Sequence, residues 1–152
     1  MRLLDTSTLQ LRTFNAKTPA YAILSHTWGA DEDEVTFQEW QTPSPETPLK
    51  RGYIKIKRFC EVARRNGYEW AWADTCCIDK SSSAELSESI NSMYKWYQKS
   101  HVCYAYLEDV LEVDDIKESR WFTRGWTLQV SIRIEEHPSR SWNITASSSQ
   151  QT

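Results

Sequence analysis

No stretch of this 152-residue chain approaches the roughly 18 consecutive apolar residues that would cross a bilayer. Its start, Met1-Arg2-Leu3-Leu4-Asp5, is broken by charge before a signal-peptide core could form, so no membrane-spanning segment is expected and the expected location is cytoplasmic. Positive charge is not in excess either. Lys and Arg are interspersed among the acids, the formal charge is -3, and no basic patch exists to displace counterions from a phosphate backbone, which excludes a nucleic-acid partner. Cysteine is sparse and badly spaced for metal. Cys76 and Cys77 are adjacent and would point to opposite faces of a strand, and His101 and Cys103 share a face without a second pair, so no metal site is expected. With Cys60 these read as reduced thiols, and the Asn143-Ile144-Thr145 sequon would matter only after secretion. A Walker loop, a dinucleotide Gly-rich fingerprint, a nucleophile elbow and internal repeats are all missing.

What the chain does have is aromatic bulk. Hydrophobic residues make up only 39%, but eight Trp, seven Tyr and four Phe supply large areas to bury, enough for one core. The pattern predicts an α/β domain over 1–136. A short strand over Leu9 to Phe14 precedes a strong one at Tyr21-Ala22-Ile23-Leu24-Ser25, which runs into a turn at Gly29. The segment 42–48 holds three of the five prolines and reads as a mobile or accessory loop. Helical spacing follows from Tyr53 to Arg65 and is closed by Asn66-Gly67. Glu69 to Thr75 reads as a Trp-rich strand. Ser82 and Glu85 form a capping box that opens a helix with the stripe Leu86, Ile90, Met93, Tyr94 and Tyr97. Val102 to Leu107 is a third strand, and Ser119 to Val130 a last amphipathic piece. Alternating strands and helices imply parallel pairing through crossovers. Residues 137–152, rich in Ser and Gln, read as a disordered tail.

Ligands of an open parallel sheet bind beyond the carboxyl ends of its strands. That rule singles out Ser25, His26 and Trp28, then Asp74, Cys76 and Asp79, then Glu108 and Asp109. Plainer readings stand beside it: a packed loop histidine at His26, a buried acid capping amides at Asp74, a turn at Asp79, and a solvated strand end at Glu108 and Asp109. A Cys76 and His26 nucleophilic pair fits the strand ends geometrically. Arg120 and Arg124, one helical turn apart, are placed either to meet those carboxylates or a nucleotide's phosphates, or to form a solvated helix face. The surplus of Trp beyond what a small core can hold points to a protein-contact surface.

Four segments, taken in order, carry a resemblance: Ala20-Tyr21-Ala22-Ile23-Leu24-Ser25-His26-Thr27-Trp28-Gly29, Trp70-Ala71-Trp72-Ala73-Asp74-Thr75-Cys76-Cys77-Ile78-Asp79-Lys80, Ser87 to Tyr97, and Ser119 to Gln129 with its Arg124-Gly125-Trp126-Thr127-Leu128-Gln129. Together over 20–129 they resemble the heterokaryon-incompatibility (HET) domain of filamentous fungi. The resemblance implies a part in fungal self/non-self recognition ending in programmed cell death, and partners among other fungal incompatibility or signalling proteins or a second copy of the chain. It also implies a divergent TIR-like, flavodoxin-like parallel sheet with flanking helices.

Some TIR domains cleave the nicotinamide–ribose bond of NAD, a step in which a carboxylate must stabilise an oxocarbenium-like sugar. The family places a glutamate directly after Arg-Gly-Trp-Thr-Leu-Gln, and here that position is Val130, with Glu135 and Glu136 too far along to substitute. The resemblance thus implies a signalling or interaction module that is catalytically inactive and needs no cofactor. The alternative is a TIR-like NAD glycohydrolase, NAD being its substrate, with Asp74, Asp79 or Glu108 as catalytic acids and Ser25, His26, Trp28, Arg120, Arg124 and Trp126 around the nucleotide. A third reading is a truncated or alternatively spliced product without activity, because the family's continuation stops matching after Gln129 and would leave the sheet incomplete.

Overall fold

The computed structural model describes residues 1–110, 113–123, 132–135 and 143–146. The elements are β1 (Arg2–Asp5), β2 (Leu11–Thr13), β3 (Tyr21–His26), α1 (Phe37–Gln41), α2 (Arg51–Arg65), β4 (Trp70–Trp72), α3 (Ser83–Lys99), β5 (Val102–Tyr106), β6 (Ile132–Glu135) and β7 (Asn143–Ala146). The strands form one seven-stranded sheet in the order β2-β1-β4-β3-β5-β7-β6.

The α/β fold is as expected, and its centre is parallel: β3 lies between β4 and β5, with Tyr21 opposite Trp70 and Ala22 opposite Val102. The margins correct the all-parallel picture. β1 pairs antiparallel to both β2 and β4, and β7 runs antiparallel to β5 and β6. The crossover rule applies only where a helix intervenes; β1 reaches β2 through a short turn, which permits only the antiparallel form. β1 itself escaped the sequence reading because a four-residue strand flanked by Arg2 and Asp5 has no visible alternation, although Leu3 and Leu4 are both fully buried. β7 lies within the segment expected to be a disordered tail; the rest of 137–152 is outside the described residues.

One sheet face is covered by α2, whose Gly52, Ile56, Phe59, Cys60 and Ala63 are buried at helical spacing, Phe59 edge-on to Tyr104 at 5.8 Å. The helix ends where expected. Gly67 takes φ 86°, and with no atom within 4 Å of a Cβ placed there, a Gly67→Ala variant meets only the left-handed backbone penalty. Urea unfolding should show about 1 kcal/mol of destabilisation, and an unchanged midpoint would refute the cap assignment.

The opposite face carries α3. Trp72, fully buried, meets Trp96 at 5.5 Å and Tyr97 at 6.0 Å, and the Tyr97 hydroxyl donates to the Leu24 carbonyl. The Ser82 side chain does cap α3 by accepting from the Glu85 amide. The reciprocal half of the predicted box differs, because the Glu85 carboxylate accepts from the Asp79 amide at 2.8 Å and pairs with Arg2 of β1. An arginine and an amide at the strand–helix junction outcompete the local partner, and the helix start is thereby tied to the sheet. The predicted stripe also shifts: Ser89 is buried with Leu86, Met93, Trp96 and Tyr97 half-buried, while Ile90 and Tyr94 stay exposed.

Other segments differ in detail. Strand β4 is shorter than Glu69 to Thr75, since Ala73 begins a turn whose carbonyl accepts from the Cys77 amide at 3.0 Å. Within the 42–48 loop the buried Thr47 hydroxyl accepts from the Ser44 amide at 3.0 Å. Within Ser119 to Val130 the structure holds a 3-10 turn at Arg120–Thr123, and the remainder lies outside the described residues. That turn seats Trp121 in a small second core with Ala105, Leu107, Val110 and Ile116.

Candidate functional site

Because β4, β3 and β5 are parallel and in register, their carboxyl ends open on one edge. His26 is the last residue of β3, and Asp74 lies two residues past β4. The His26 Nε2 is 2.8 Å from Asp74 Oδ1, and the Trp28 indole N–H donates to Asp74 Oδ2 at 3.1 Å. Both carboxylate oxygens are thus engaged. Lys80 completes the group, its Nζ 3.7 Å from the centroid of the half-exposed Trp28 ring. Burial would raise the Asp74 carboxyl, but the His26 hydrogen bond, the nearby charges of His26 and Lys80 and the Trp28 N–H outweigh it and hold the acid below the usual carboxylate range.

Beside this triad lies a residue that sequence reasoning missed. Glu34 leaves the acidic loop after Gly29 and inserts its Oε1 between the Gly29 amide, at 2.8 Å, and the Lys55 ammonium of α2, at 2.7 Å. The pair is sequestered, with side-chain exposures of 13% and 7%, and Glu34 Oε2 is buried without a hydrogen-bond partner. Burial raises this carboxyl too, yet the bonds from Lys55 and Gly29 and the charges of Lys55 and His26 keep it ionised. Gly52 makes the approach feasible: a Cβ there would lie 2.8 Å from the Asp33 carbonyl oxygen and 2.9 Å from Glu34 Oε2. The only sequence signals for this clamp are a glycine in the first turn of a helix and a lysine on its apolar face, neither of which names its partner. The pocket beside it, lined by Glu34, Gly52, Lys55, Tyr106 and Glu108 among others, has a volume of about 30 Å³, room for a water.

Of the residues singled out from sequence, His26, Trp28 and Asp74 come together. Ser25 adjoins them but accepts from the Trp121 indole at 3.0 Å, which docks the second core onto β3. Glu108 faces the Glu34 pocket and pairs with Arg51 at 2.8 Å. Asp79 stands apart: its Oδ1 accepts from the Ser81 amide and hydroxyl and from Gln38 of α1 at 2.6 Å, which shapes the turn before α3. These bonds lower its carboxyl. Arg120 is turned to Asp109, its amide donating at 2.8 Å and its Nε 3.6 Å away. Arg124, Trp126 and Val130 lie outside the described residues.

Two observations weigh against a Cys76 and His26 nucleophilic pair: His26 Nε2 is held by Asp74, and Cys76 is fully buried, its thiol pushed well up by desolvation, which opposes the thiolate. Burial also pushes Cys103 up to about 12. Among the described residues no three His, Cys, Asp or Glu side chains converge as a metal site, and no helix is long and apolar enough to cross a membrane.

Comparison with known proteins bears on the same region. Residues 21–112, from the start of β3 past the end of β5, match the sequence profile of the family described as Heterokaryon incompatibility protein (HET). The chain is also similar to the vegetative incompatibility protein HET-E-1 of Podospora anserina, with 46% identity over 129 residues, covering 78% of this chain and 9% of that protein. The chain therefore spans a small part of that relative's length. No solved structure matches. With the family's profile running through β3, β4, α3 and β5, and so through His26, Trp28 and Asp74, the chain belongs to the heterokaryon incompatibility (HET) family.

Proposed function

We propose that the chain acts in fungal heterokaryon incompatibility as a cytoplasmic signalling module of TIR-like ancestry, working by binding and leading to cell death without turning over NAD. Membership of the family supports the incompatibility role, since the relative's own name describes vegetative incompatibility. The observation that carries the non-catalytic part is the commitment of the strand-end acids. Cleaving the nicotinamide–ribose bond requires an uncompensated carboxylate beside a developing sugar cation. Asp74 is bound by His26 and Trp28, Glu34 by Lys55, and Glu108 by Arg51. Each negative charge already has its own donor or cation, so little field remains for a ribosyl cation. The family's glutamate position, occupied by Val130, adds no other.

Acids paired in this way suit a rigid platform that presents Trp28 and Lys80 to a protein partner. Purified chain incubated with NAD should release nicotinamide at the rate of a heat-denatured control when followed by chromatography. Its expression in fungal hyphae should arrest growth. Release above the control would end the non-catalytic reading, and undisturbed growth at verified expression would end the incompatibility role.

A further inference from the structure

Charges that are interspersed along the chain are sorted in space by α2. With one face of that helix buried against the sheet, the opposite side, about 140° wide and about 21 Å long, is exposed and carries Arg51, Lys57, Arg58, Arg64 and Arg65. Glu61 is the one acid the helix places there, and the nearest acids along the chain, Glu46 and Glu69, precede and follow the helix. Arg51 is answered by Glu108 at 2.8 Å, and the Arg65 Nε donates to the Glu61 carbonyl at 3.4 Å. Lys57, Arg58 and Arg64 close no ion pair among the described residues. Setting Glu61 and Glu108 against the five cations leaves a local excess of three positive charges, in a chain whose formal charge is -3. Arg64 and Arg65, in the last turn, answer the helix dipole; Lys57 and Arg58 lie mid-helix, where no such role exists. Near the centre of the same face stands Ile54, 39% exposed, and Leu49, 76% exposed, lies two residues ahead of the helix.

We infer that the exposed face of α2 is a docking surface for an anionic membrane, with the helix lying along the lipid headgroups. Each Lys or Arg held at an acidic leaflet strengthens binding roughly five-fold. The attraction acts within a Debye length, about 8 to 10 Å, so the local excess governs it and the acids of α3, across the sheet, do not. The apolar side chain decides between anionic partners. Ile54, set among the cations, enters the boundary between headgroups and acyl chains, whereas a phosphate backbone or a carboxylate-rich protein surface offers it nothing. The helix face also holds no amide or aromatic side chain with which to read or stack on bases. A plane of charge asks for no matching relief, and a 15-residue helix on the outside of the sheet can meet it along its whole length. The charge excess is small, so the contact is weak, reversible and sensitive to salt.

Co-sedimentation of the full chain with lipid vesicles tests this. At low salt the chain should bind vesicles holding about 30% phosphatidylserine at least ~10-fold more tightly than vesicles of phosphatidylcholine alone, and should lose that preference near about 0.5 M NaCl. Lys57→Gln with Arg58→Gln, which keeps good helix formers at both sites, should weaken binding at least ~10-fold. Glu61→Gln, which removes the repelled acid, should strengthen it about 5-fold. Lys95→Gln with Lys99→Gln makes the same change in net charge on α3 and should leave binding unaltered. Ile54→Ser should weaken binding about 3-fold without changing its salt dependence. Circular dichroism checks the fold of each variant, and Glu61→Gln, whose expected change is a gain, keeps the test decisive should another fold poorly. No binding, equal binding to neutral vesicles, equal losses from the α2 and α3 pairs, or an Ile54→Ser variant that binds like the native chain would each overturn the proposal. So would release of the chain from vesicles by polyglutamate or duplex DNA at equal concentration of negative charge, which would give the face to an acidic protein or a nucleic acid. Neither nicotinamide nor growth arrest enters the inference, so it stands or falls apart from the functional reading.

Discussion

Glu34→Ala should destabilise the chain by about 3–5 kcal/mol, because it strands the Lys55 ammonium, 7% exposed, on the buried side of α2. The Gly29 amide loses its acceptor in the same change. A single replacement measures an abandoned charge and not the value of the pair, so the informative comparison is the double variant Glu34→Leu with Lys55→Met. Glu34 Oε2 has no hydrogen-bond partner, so part of its desolvation cost is already unmet in the folded chain. Replacing both charges with apolar groups of similar volume should therefore return most of the lost stability and even exceed the native value. Urea denaturation of the three proteins decides the matter. A Glu34→Ala loss under about 1 kcal/mol would mean that Lys55 finds water and that the clamp is no closed pair.

The clamp also marks where the sequence stopped being informative. Elements specified by local chemistry were legible: α2 by its apolar spacing and Gly67, the start of α3 by Ser82, and β3 and β5 by their continuous apolar runs. The strand-end rule then named His26 and Asp74 separately, since position along a strand is a property of the chain. Their bond across 48 residues is a property of the parallel register, which no local pattern encodes. Glu34 was invisible for a stronger reason, lying in a run of acids where three neighbours, Asp31, Glu32 and Asp33, look the same and only the approach of Gly52 selects one. Ile90 and Tyr94 were read as core because periodicity reports which residues share a face, not whether anything covers it. The Trp surplus divided in the same way: Trp72 and Trp121 are buried, Trp28 is exposed beside Lys80.

Asp74→Asn should cost about 2–3 kcal/mol at neutral pH and should also change the shape of the acid limb of the stability curve. The asparagine keeps one acceptor oxygen for His26 or Trp28 but turns an NH2 toward the other, so either the Trp28 N–H loses its acceptor or His26, 3% exposed, must change tautomer to accept from the amide. The carboxyl of Asp74 is held below its unfolded value, so the native fold binds its proton less readily than the unfolded chain does. Stability from this group is complete above the unfolded value of about 4 and disappears as the pH falls through the lower folded value. Glu34 contributes with the same sign. The native chain should therefore lose stability steeply below about pH 4, and Asp74→Asn, lacking one of these titrations, should lose it less steeply, the two curves converging in acid. The limb should not vanish, since Glu39 and Glu85 are lowered as well, by the Lys50 and Arg2 hydrogen bonds. Thermal melts between pH 3 and 7 read out both features. Parallel curves at a constant offset would show that Asp74 is not preferentially ionised in the fold, and with that the strand-end network could no longer be described as a set of charges already answered from within the protein.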